Sequence, residues 1–167
     1  MIRYIEGNIF ASRAQVLVNS VNCCGVMGAG IALEFRKRFP KMYRAYRRAC
    51  QKGELDIGRP FLWKGKERWI LNFPTKLHYV QPARLEYIER GLQWIVNNYR
   101  KEGITSMAMP KLGTELGRLP WSDVKVLLER YLAELADLDV EVYEWAGNAN
   151  CKRPQDRLHQ AQAQYFG

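Results

Sequence analysis

The sequence predicts an α/β fold in which helices flank a mostly parallel or mixed sheet. Short apolar strand-like runs alternate with amphipathic helical segments over residues 1–145, which is the pattern of helices packed against a sheet. A glycine-rich segment also separates a predicted strand from the helix after it, a feature typical of phosphate-binding turns. At 167 residues, the chain is most simply one domain with a substantial core.

The predicted elements follow one another along the chain. The strands are residues 3–6, 15–19, 60–63, 68–73, 106–109 and 140–145, and the helices are residues 28–39, 41–52, 83–101 and 121–135. The apolar run Val16, Leu17 and Val18 is typical of a buried strand. Pro40 separates the first two helices and suits the first turn of the second. Gly103 follows the third helix, where glycine commonly ends one.

Composition and charge narrow the classes of function. No apolar run approaches the ~20 residues of a membrane span, and the N-terminal MIRYIEGNIF lacks a signal-peptide pattern. We therefore expect a cytoplasmic protein without a membrane partner. The net charge of +9 favours a polyanionic partner such as nucleic acid. We expect one domain over residues 1–147, and residues 148–167 as a polar tail or the start of a segment absent from this chain.

Cysteines and histidines form no metal-ligand pattern. The chain has two histidines and four cysteines without a C-x-x-C pair. These residues are Cys23, Cys24, Cys50, Cys151, His78 and His159. We therefore expect neither a metal nor a cofactor, and we interpret the cysteines as small buried side chains in a reducing compartment.

The stretch VNSVNCCGVMGAGIALEFRKRF, residues 18–39, is typical of a buried strand, a glycine-rich turn and a helix start. Glycine lets backbone N–H groups approach a ligand, and a helix N-terminus adds free donors and partial positive charge. Together they make a diphosphate cradle. Gly25, Gly28 and Gly30 give G-x-x-G-x-G, which differs from the dinucleotide fingerprint, and no G-K-[S/T] of a nucleotide P-loop follows them. Taken alone, these glycines would equally serve to turn the chain.

A second glycine-containing loop, PKLGTELGRLP at residues 110–120, also follows a short strand and precedes a helix. Ligands of such sheets bind at the carboxyl ends of the strands, so the two loops are expected to hold one diphosphate from both sides. Asn19 and Asn22, predicted at the mouth of the first loop, offer amide groups that suit ribose hydroxyls. A diphosphate flanked by ribose describes ADP-ribose.

Three segments resemble the macrodomain family, namely LVNSVNCCGVMGAGIA, NFPTKLHY and PKLGTELGRLPW. The first is typical of macrodomains broadly. The second resembles the branch of DNA ADP-ribosyl glycohydrolases, the antitoxin partners of DarT-type toxins. The resemblance covers residues 1–145 and implies a three-layer α/β/α macrodomain with a mixed central sheet. It also implies binding of ADP-ribose, its removal from thymine bases of single-stranded DNA, and a DarT-type toxin as a partner.

The resemblance assigns roles to individual residues. Lys76 would be the catalytic residue, and Asn22 would hold the distal ribose beside the scissile bond. Asn8 would lie near the adenine, where many macrodomains have an acidic residue. The other residues expected to bind ADP-ribose are Ile9, Asn19, Gly25, Val26, Met27, Gly28, Ala29, Gly30, Gly113, Thr114, Glu115, Leu116 and Gly117.

A lysine suits the cleavage of a ribosyl–thymine bond, which builds positive charge on the sugar and negative charge on the departing base nitrogen. The Lys76 ammonium would stabilise that anion, or its neutral amine would attack the anomeric carbon. Both roles stay open. Relatives that act on protein carboxylates pair the lysine with an aspartate in the second loop, where this chain has Gly117, with Glu115 nearby. The lone lysine therefore favours the DNA-base branch.

Four further side chains are candidate contacts to DNA. His78 and Tyr79 are candidate base contacts because an aromatic ring stacks on a flipped nucleotide, although a partly buried pair in a loop is equally consistent with the sequence. Arg44 and Arg48 belong to a stripe of basic residues on one helix face. That stripe either tracks a DNA backbone or is a solvated face.

Two other functions are compatible with the same residues. One is a non-catalytic ADP-ribose reader with the same pocket. The other is a hydrolase of another ADP-ribose derivative, such as protein-linked ADP-ribose or ADP-ribose-1″-phosphate. Because DarG-type antitoxins carry a second, C-terminal domain that sequesters the toxin, both a standalone enzyme and an excised domain are consistent with this chain.

Overall fold

The computed structural model describes residues 1–145, which form a six-stranded sheet between two layers of helices. The elements in chain order are β1 (Ile2–Gly7), β2 (Val16–Asn22), α1 (Gly30–Arg38), α2 (Pro40–Gln51), β3 (Phe61–Lys64), β4 (Trp69–Lys76), α3 (Leu85–Glu102), β5 (Ser106–Pro110), α4 (Trp121–Leu132) and β6 (Asp139–Trp145). The predicted tail at residues 148–167, with Cys151 and His159, lies outside the described residues.

The sheet is mixed, as predicted. Its strand order is β1-β6-β5-β2-β4-β3. Within residues 1–145 all neighbouring strands are parallel except the β3–β4 pair. The carboxyl ends of the parallel strands therefore share one edge, and the loops that follow β2, β4 and β5 emerge there. This is the edge at which sheets of this kind bind ligands.

Each face of the sheet is covered by its own hydrophobic cluster. α3 and α4 pack on one face through residues such as Leu92 and Leu128. α1 and α2 pack on the other through Phe35 and Tyr46. Burying side chains of this size stabilises the fold by about 1.5–3 kcal/mol each. The predicted three-layer α/β/α arrangement is thus confirmed. Within the described residues, no helix combines the length and the apolar content that crossing a bilayer requires.

Two strands run three residues further than the sequence predicts. The expected ends were residues 19 and 73, whereas β2 continues to Asn22 and β4 to Lys76. Pro74 is tolerated inside β4 because β3 pairs with it only as far as Asn72, so that beyond this point β2 is the neighbour of β4 within residues 1–145. The extension has a functional consequence, since it places Asn22 opposite Lys76 in the register of the sheet.

Helix ends also differ from the prediction by two or three residues at three places, one of which is the start of α3 at Leu85 rather than at residue 83. α1 begins at Gly30 rather than at residue 28, because Ala29 is extended (φ −154°, ψ 167°). α4 ends at Leu132 rather than at residue 135. Two predicted features are confirmed. Pro40 occupies the first turn of α2, and Gly103 ends α3 in the left-handed conformation, with φ 76°.

Candidate active site

Asn22 organises the first loop, which comprises residues 23–29. Its Oδ1 accepts hydrogen bonds from the backbone N–H groups of Cys24 (3.1 Å) and Val26 (3.3 Å), and its Nδ2 donates to the carbonyl oxygen of Val26 (2.8 Å). From α2, the Tyr46 hydroxyl donates at 2.9 Å to Oδ1 and lies 2.8 Å from the Asn22 carbonyl oxygen. Burial raises the pKa of Tyr46 far above its usual value, which keeps this donor protonated. The ribose contact of Asn22 stays a prediction.

The backbone of the first loop leaves hydrogen-bond donors free. Among residues 1–145, no group accepts from the backbone N–H groups of Gly28, Ala29 and Gly30. Ala29 caps α1 without a side-chain hydrogen bond, and the first turn of α1 holds no acidic residue. Uncapped donors and the partial positive charge of a helix N-terminus favour an anion here.

The glycines of the first loop serve different purposes. Gly25 and Gly30 have φ values of +83° and +56°, which side-chain-bearing residues rarely adopt. Gly28 has no such constraint, and a Cβ added to it would meet only the side chain of Val26, at an ordinary 3.5 Å. Since the fold does not require glycine at position 28, the open space beside it is available to a ligand.

Several residues predicted to bind ADP-ribose turn inward. Ile9 and Met27 are fully buried in the cluster under α1 and α2, so only their backbone atoms are available to a ligand. Asn8, at the end of β1, is exposed and caps a short 3-10 turn that the sequence did not predict, accepting from the backbone N–H of Phe10 at 2.9 Å. Its proximity to adenine stays a prediction.

The predicted position of Asn19 is wrong. Because β2 continues to Asn22, Asn19 lies inside the sheet rather than at the mouth of the first loop. It is fully buried, its Nδ2 donates to Asn72 Oδ1 at 3.3 Å, and its Oδ1 has no partner within the described residues. An amide enclosed in this way does not reach a ribose bound on the loop.

The second loop, residues 111–119, is a compact turn that packing holds in place. The Leu119 N–H donates to the Gly113 carbonyl oxygen at 2.9 Å. Gly113 has φ +73°, and a Cβ on Gly117 would lie 2.5 Å from the Gly113 carbonyl oxygen and 2.8 Å from the Cβ of Ala83. Both glycines are buried and are explained by conformation and packing. Contacts from their backbone to a diphosphate stay predictions.

Replacing Gly117 with alanine is expected to lower the free energy of unfolding by roughly 1–3 kcal/mol, because backbone atoms occupy the position of the new methyl group. Gly28→Ala is the matched control and should change it by less than about 0.5 kcal/mol. Chemical denaturation of both variants measures the difference. Equal stability of the two would show that the second loop rearranges freely, and position 117 could then accept the aspartate of protein-directed relatives.

The first and second loops approach each other across the sheet edge. A Cβ on Gly30 would lie 3.8 Å from Cδ1 of Leu116, a half-exposed side chain of the second loop. Glu115 is exposed beside it, and Thr114 Oγ1 donates to the Lys111 carbonyl oxygen at 2.8 Å. The two loops therefore lie close together at this end of the sheet, and a diphosphate held between them stays a prediction.

The β4–α3 loop is tied to both of these loops. The Cys23 N–H donates to the carbonyl oxygen of Leu77 at 3.2 Å, which joins it to the first loop. The Ala83 N–H donates to the carbonyl oxygen of Gly117 at 3.0 Å, which joins it to the second. Three segments distant in sequence are thus held together around the end of β4.

Lys76, the last residue of β4, lies at this junction. Its side chain is half-buried, and its amine donates to the carbonyl oxygen of Tyr79 at 3.2 Å. Within residues 1–145 no carboxylate pairs with it. Burial lowers the pKa of Lys76, the Arg118 guanidinium lowers it further, and the Cys24 thiol acts in the opposite direction. A larger share of neutral amine is therefore present than on an exposed lysine.

An aromatic pair follows Lys76 at the rim. The rings of His78 and Tyr79 have centroids 4.3 Å apart at an interplanar angle of 31°. Tyr79 is 51% exposed, and its neighbours Leu77 and Val80 are also exposed. The open ring and apolar side chains are available to an unstacked base.

The cysteines are less buried than predicted. Cys24 is exposed, whereas Cys23 and Cys50 are half-buried free thiols under the first loop. Burial raises the pKa of Cys23 to about 12 and that of Cys50 to about 11, which keeps both thiols protonated. No cluster of metal-ligating side chains occurs in the part of the chain that the structure describes.

Two residues of the site escaped the sequence reasoning. Tyr46 has the spacing of a buried residue of α2, and this spacing does not indicate that its hydroxyl holds Asn22. Arg118 lies in the second glycine segment, where no sequence pattern indicates a role for it. The structure gives it the one positive φ among non-glycine residues of 1–145, at 64°.

Comparison with known proteins supports the same fold. The family model described as Macro domain matches residues 18–128, more than half of the chain. The chain belongs to the macrodomain family. Its macrodomain is 42% identical over 148 residues to the DNA ADP-ribosyl glycohydrolase of Thermus aquaticus, a match covering 86% of this chain and 41% of that protein.

Solved macrodomain structures agree with this comparison. The macrodomain of Mycobacterium tuberculosis DarG has a TM-score of 0.84 at 41% identity, covering 87% of this chain and 99% of that one. Thermosipho africanus DarTG in complex with ADP-ribose has a TM-score of 0.84 at 40% identity, covering 94% and 44%. The predicted resemblance to the DNA ADP-ribosyl glycohydrolase branch is confirmed. The chain spans about two fifths of the length of the curated relatives it matches.

Proposed function

We propose that this macrodomain hydrolyses the N-glycosidic bond between ADP-ribose and thymine in single-stranded DNA, and so reverses a DarT-type toxin. One observation carries the proposal. Lys76 lies opposite Asn22 in the register of the sheet, at the junction of three loops, and pairs with no carboxylate in residues 1–145. The names of relatives at 40–42% identity support the same reaction.

In this proposal the first and second loops bind the nucleotide. The free N–H groups of Gly28, Ala29 and Gly30 hold the diphosphate at the N-terminus of α1. Leu116 covers it from the second loop. The distal ribose then lies toward Asn22, whose second Nδ2 hydrogen is left after its bond to Val26.

The reaction adds one water across the ribosyl–thymine bond and yields ADP-ribose and unmodified thymine. The base nitrogen leaves with the bonding electron pair and receives a proton, while the anomeric carbon gains the hydroxyl group. A protonated Lys76 would stabilise the leaving base. A neutral Lys76 would first form a covalent bond to the anomeric carbon, which water then replaces. Burial lowers the pKa of Lys76, which raises the share of neutral amine relative to an exposed lysine.

Single-stranded DNA would reach the site from the side of α1 and α2. Residues 30–51 carry seven basic residues against one acidic residue, Glu34, which is +6 of the net charge of +9. The basic residues Arg44 and Arg48 are exposed on α2. The C-terminal half of α2 packs under the first loop, since a Cβ on Gly25 would lie 3.7 Å from Arg47. We propose that this basic face binds phosphates and that the His78–Tyr79 pair contacts the modified base.

The double variant Arg44→Glu with Arg48→Glu is expected to weaken binding to ADP-ribosylated oligonucleotide. If two phosphate contacts are lost, the slope of log K against log salt should fall in magnitude by about 1.4. Affinity for free ADP-ribose should be unchanged. Fluorescence anisotropy across a salt series measures both. The control, Lys66→Glu with Lys101→Glu, makes the same charge change at the opposite edge of the sheet. An equal loss of oligonucleotide affinity in the control would contradict a specific DNA-binding role of Arg44 and Arg48.

A side-by-side turnover assay tests the proposed function. Wild-type protein is incubated separately with a thymine-ADP-ribosylated oligonucleotide, a carboxylate-ADP-ribosylated protein and ADP-ribose-1″-phosphate. We expect turnover of the oligonucleotide at a kcat/KM at least 100-fold above the other two. Tight binding of ADP-ribose without turnover of any of the three substrates would instead establish a non-catalytic ADP-ribose reader. A higher kcat/KM for the modified protein or for ADP-ribose-1″-phosphate would identify that compound as the substrate.

A further inference from the structure

Two arginines converge on one tyrosine ring between α1 and α2. The guanidinium carbon of Arg36 lies 4.6 Å from the centroid of the Tyr43 ring, and that of Arg47 lies 5.8 Å from it. Both arginines are exposed, whereas Tyr43 is half-buried. An aromatic face attracts a cation, and a guanidinium carries its N–H groups around its planar edge. The ring therefore orders both side chains and leaves their hydrogen-bond donors available.

Neither guanidinium is neutralised within residues 1–145. There the structure gives Arg36 and Arg47 no ion pair and no side-chain hydrogen bond. Glu34 is the one carboxylate of α1 and α2, and it pairs with Lys37 and Arg38 instead, at 3.9 Å each. Two guanidiniums held at one ring without a carboxylate repel each other, and an anion bound to both relieves that repulsion.

Tyr43 and Arg47 lie on the face of α2 that contacts the first loop. The Tyr43 hydroxyl donates to the carbonyl oxygen of Gly25 at 3.4 Å, and a Cβ on Gly25 would lie 3.7 Å from Cγ of Arg47. In the same loop, the Cys23 N–H donates to the loop that follows Lys76. The first loop thus joins the two arginines to the junction at which the modified thymidine is proposed to lie.

We propose that Arg36 and Arg47 form a phosphate clamp on the Tyr43 ring, which binds a DNA phosphodiester close to the ADP-ribosylated thymidine. The inference deepens the proposed function and rests on it for the identity of the nucleic acid. Arginine suits this ligand because its planar fork donates two hydrogen bonds to one phosphate group. Arg44 and Arg48, by contrast, contact no ring within the described residues and are expected to attract the DNA backbone less selectively.

The diphosphate of ADP-ribose is the other phosphate group expected near this loop, and helix geometry separates it from the clamp. The free N–H groups proposed to hold the diphosphate lie at the start of α1, whereas Arg36 comes six residues after Gly30. At a rise of 1.5 Å per residue, the two positions are about 9 Å apart along the helix axis. The diphosphate and the phosphodiester are therefore assigned to opposite ends of α1.

Two double variants and two ligands test the clamp. Arg36→Gln with Arg47→Gln removes both guanidiniums, and Arg36→Lys with Arg47→Lys keeps both charges without the planar fork. Both are made in Lys76→Ala protein, so that the ligands stay intact. Calorimetry measures the affinity for a thymine-ADP-ribosylated oligonucleotide and for ADP-ribosylated thymidine, which has no phosphodiester. Thermal melting checks the fold, which these exposed positions should leave unchanged.

We expect the glutamine pair to bind the oligonucleotide roughly 10-fold or more weakly than the Lys76→Ala parent, and to bind ADP-ribosylated thymidine within about two-fold of it. The lysine pair should lose part of the oligonucleotide affinity. An equal loss for both ligands would assign the arginines to ADP-ribose and overturn the inference. An unchanged oligonucleotide affinity in the glutamine pair would also overturn it, as would full affinity in the lysine pair, because charge alone would then suffice.

Lys66→Gln with Lys101→Gln, at the opposite edge of the sheet, is the matched control and should leave both affinities unchanged. A loss of oligonucleotide affinity equal to that of the glutamine pair at Arg36 and Arg47 would reduce the clamp to a general effect of net charge and overturn it. If wild-type protein hydrolyses no substrate, the proposed function fails, whereas these affinities still decide the role of the two arginines.

Discussion

Lys76→Ala is expected to remove hydrolysis of ADP-ribosylated DNA while leaving the affinity for ADP-ribose within a few-fold of wild type. In our proposal the free N–H groups of the first loop are the donors for the diphosphate, and the Lys76 amine in the free protein donates a hydrogen bond only to the Tyr79 carbonyl oxygen among residues 1–145. Its main interaction is therefore made in the transition state, and losing one such charged group costs on the order of 100- to 1000-fold in kcat. Single-turnover assays and calorimetry measure the two quantities.

Two controls accompany this variant. Lys101→Ala removes an exposed lysine at the opposite edge of the sheet and should retain full activity. Lys76→Arg separates the two chemical roles, because arginine keeps the charge but does not act as a neutral amine nucleophile. Partial activity in Lys76→Arg supports charge stabilisation. A borohydride-trapped adduct in wild type supports the covalent route, because opening of the ribose ring in the lysine adduct gives a Schiff base that borohydride reduces. Wild-type turnover in Lys76→Ala would remove the lysine from the chemistry.

The sequence predicted the layers of the fold well because hydrophobic periodicity is a local property. Met42, Tyr46 and Ala49 are spaced to form one face of α2, and all three are buried. Strand ends were predicted less well, because they depend on pairing partners distant in sequence. Pro74 illustrates this. It lies within β4 only because β3 has already ended beside it, and the order of strands is not visible in the residues around it.

The candidate site was predicted in outline, and its internal contacts were not. Motif resemblance located Lys76 and both glycine loops, and the structure brings them to one edge. Motif resemblance alone could not distinguish a glycine required by backbone conformation, such as Gly113, from one that leaves open space, such as Gly28. The sequence also did not show where Asn19 lies. Because β2 ends three residues later than predicted, this amide lies in the core rather than at the loop.

The second loop is tightly packed at its glycines, whereas the first loop has open space beside Gly28. This difference decides at which positions a substitution tests ligand binding rather than folding. In the second loop, added atoms at Gly117 collide with the protein itself, so a loss of activity there is mixed with a loss of stability. In the first loop, Gly28 is exposed, and an added Cβ makes only an ordinary contact with Val26. A variant at position 28 therefore tests ligand binding with little effect on folding.

Gly28→Glu is accordingly expected to abolish measurable ADP-ribose binding while keeping the fold intact. The carboxylate would lie at the uncapped N-terminus of α1, where it would compete for the free N–H groups of Ala29 and Gly30 and repel the diphosphate. Like charges in close contact cost several kcal/mol, which corresponds to a Kd raised roughly 100-fold or more. Calorimetry with ADP-ribose measures the affinity, and circular dichroism with thermal melting measures the fold.

Gly28→Ala and Gly28→Gln separate the effect of added volume from the effect of added charge on ADP-ribose affinity. Alanine adds only the Cβ and should weaken binding by a few-fold, whereas glutamine adds nearly the volume of glutamate without its charge. If charge repulsion dominates, glutamine should retain clearly more affinity than glutamate, and lower salt should widen the difference. Near wild-type affinity in Gly28→Glu would remove the first loop as the diphosphate cradle. The anion would then have to be held by the second loop, on the other side of Gly30 from the first loop.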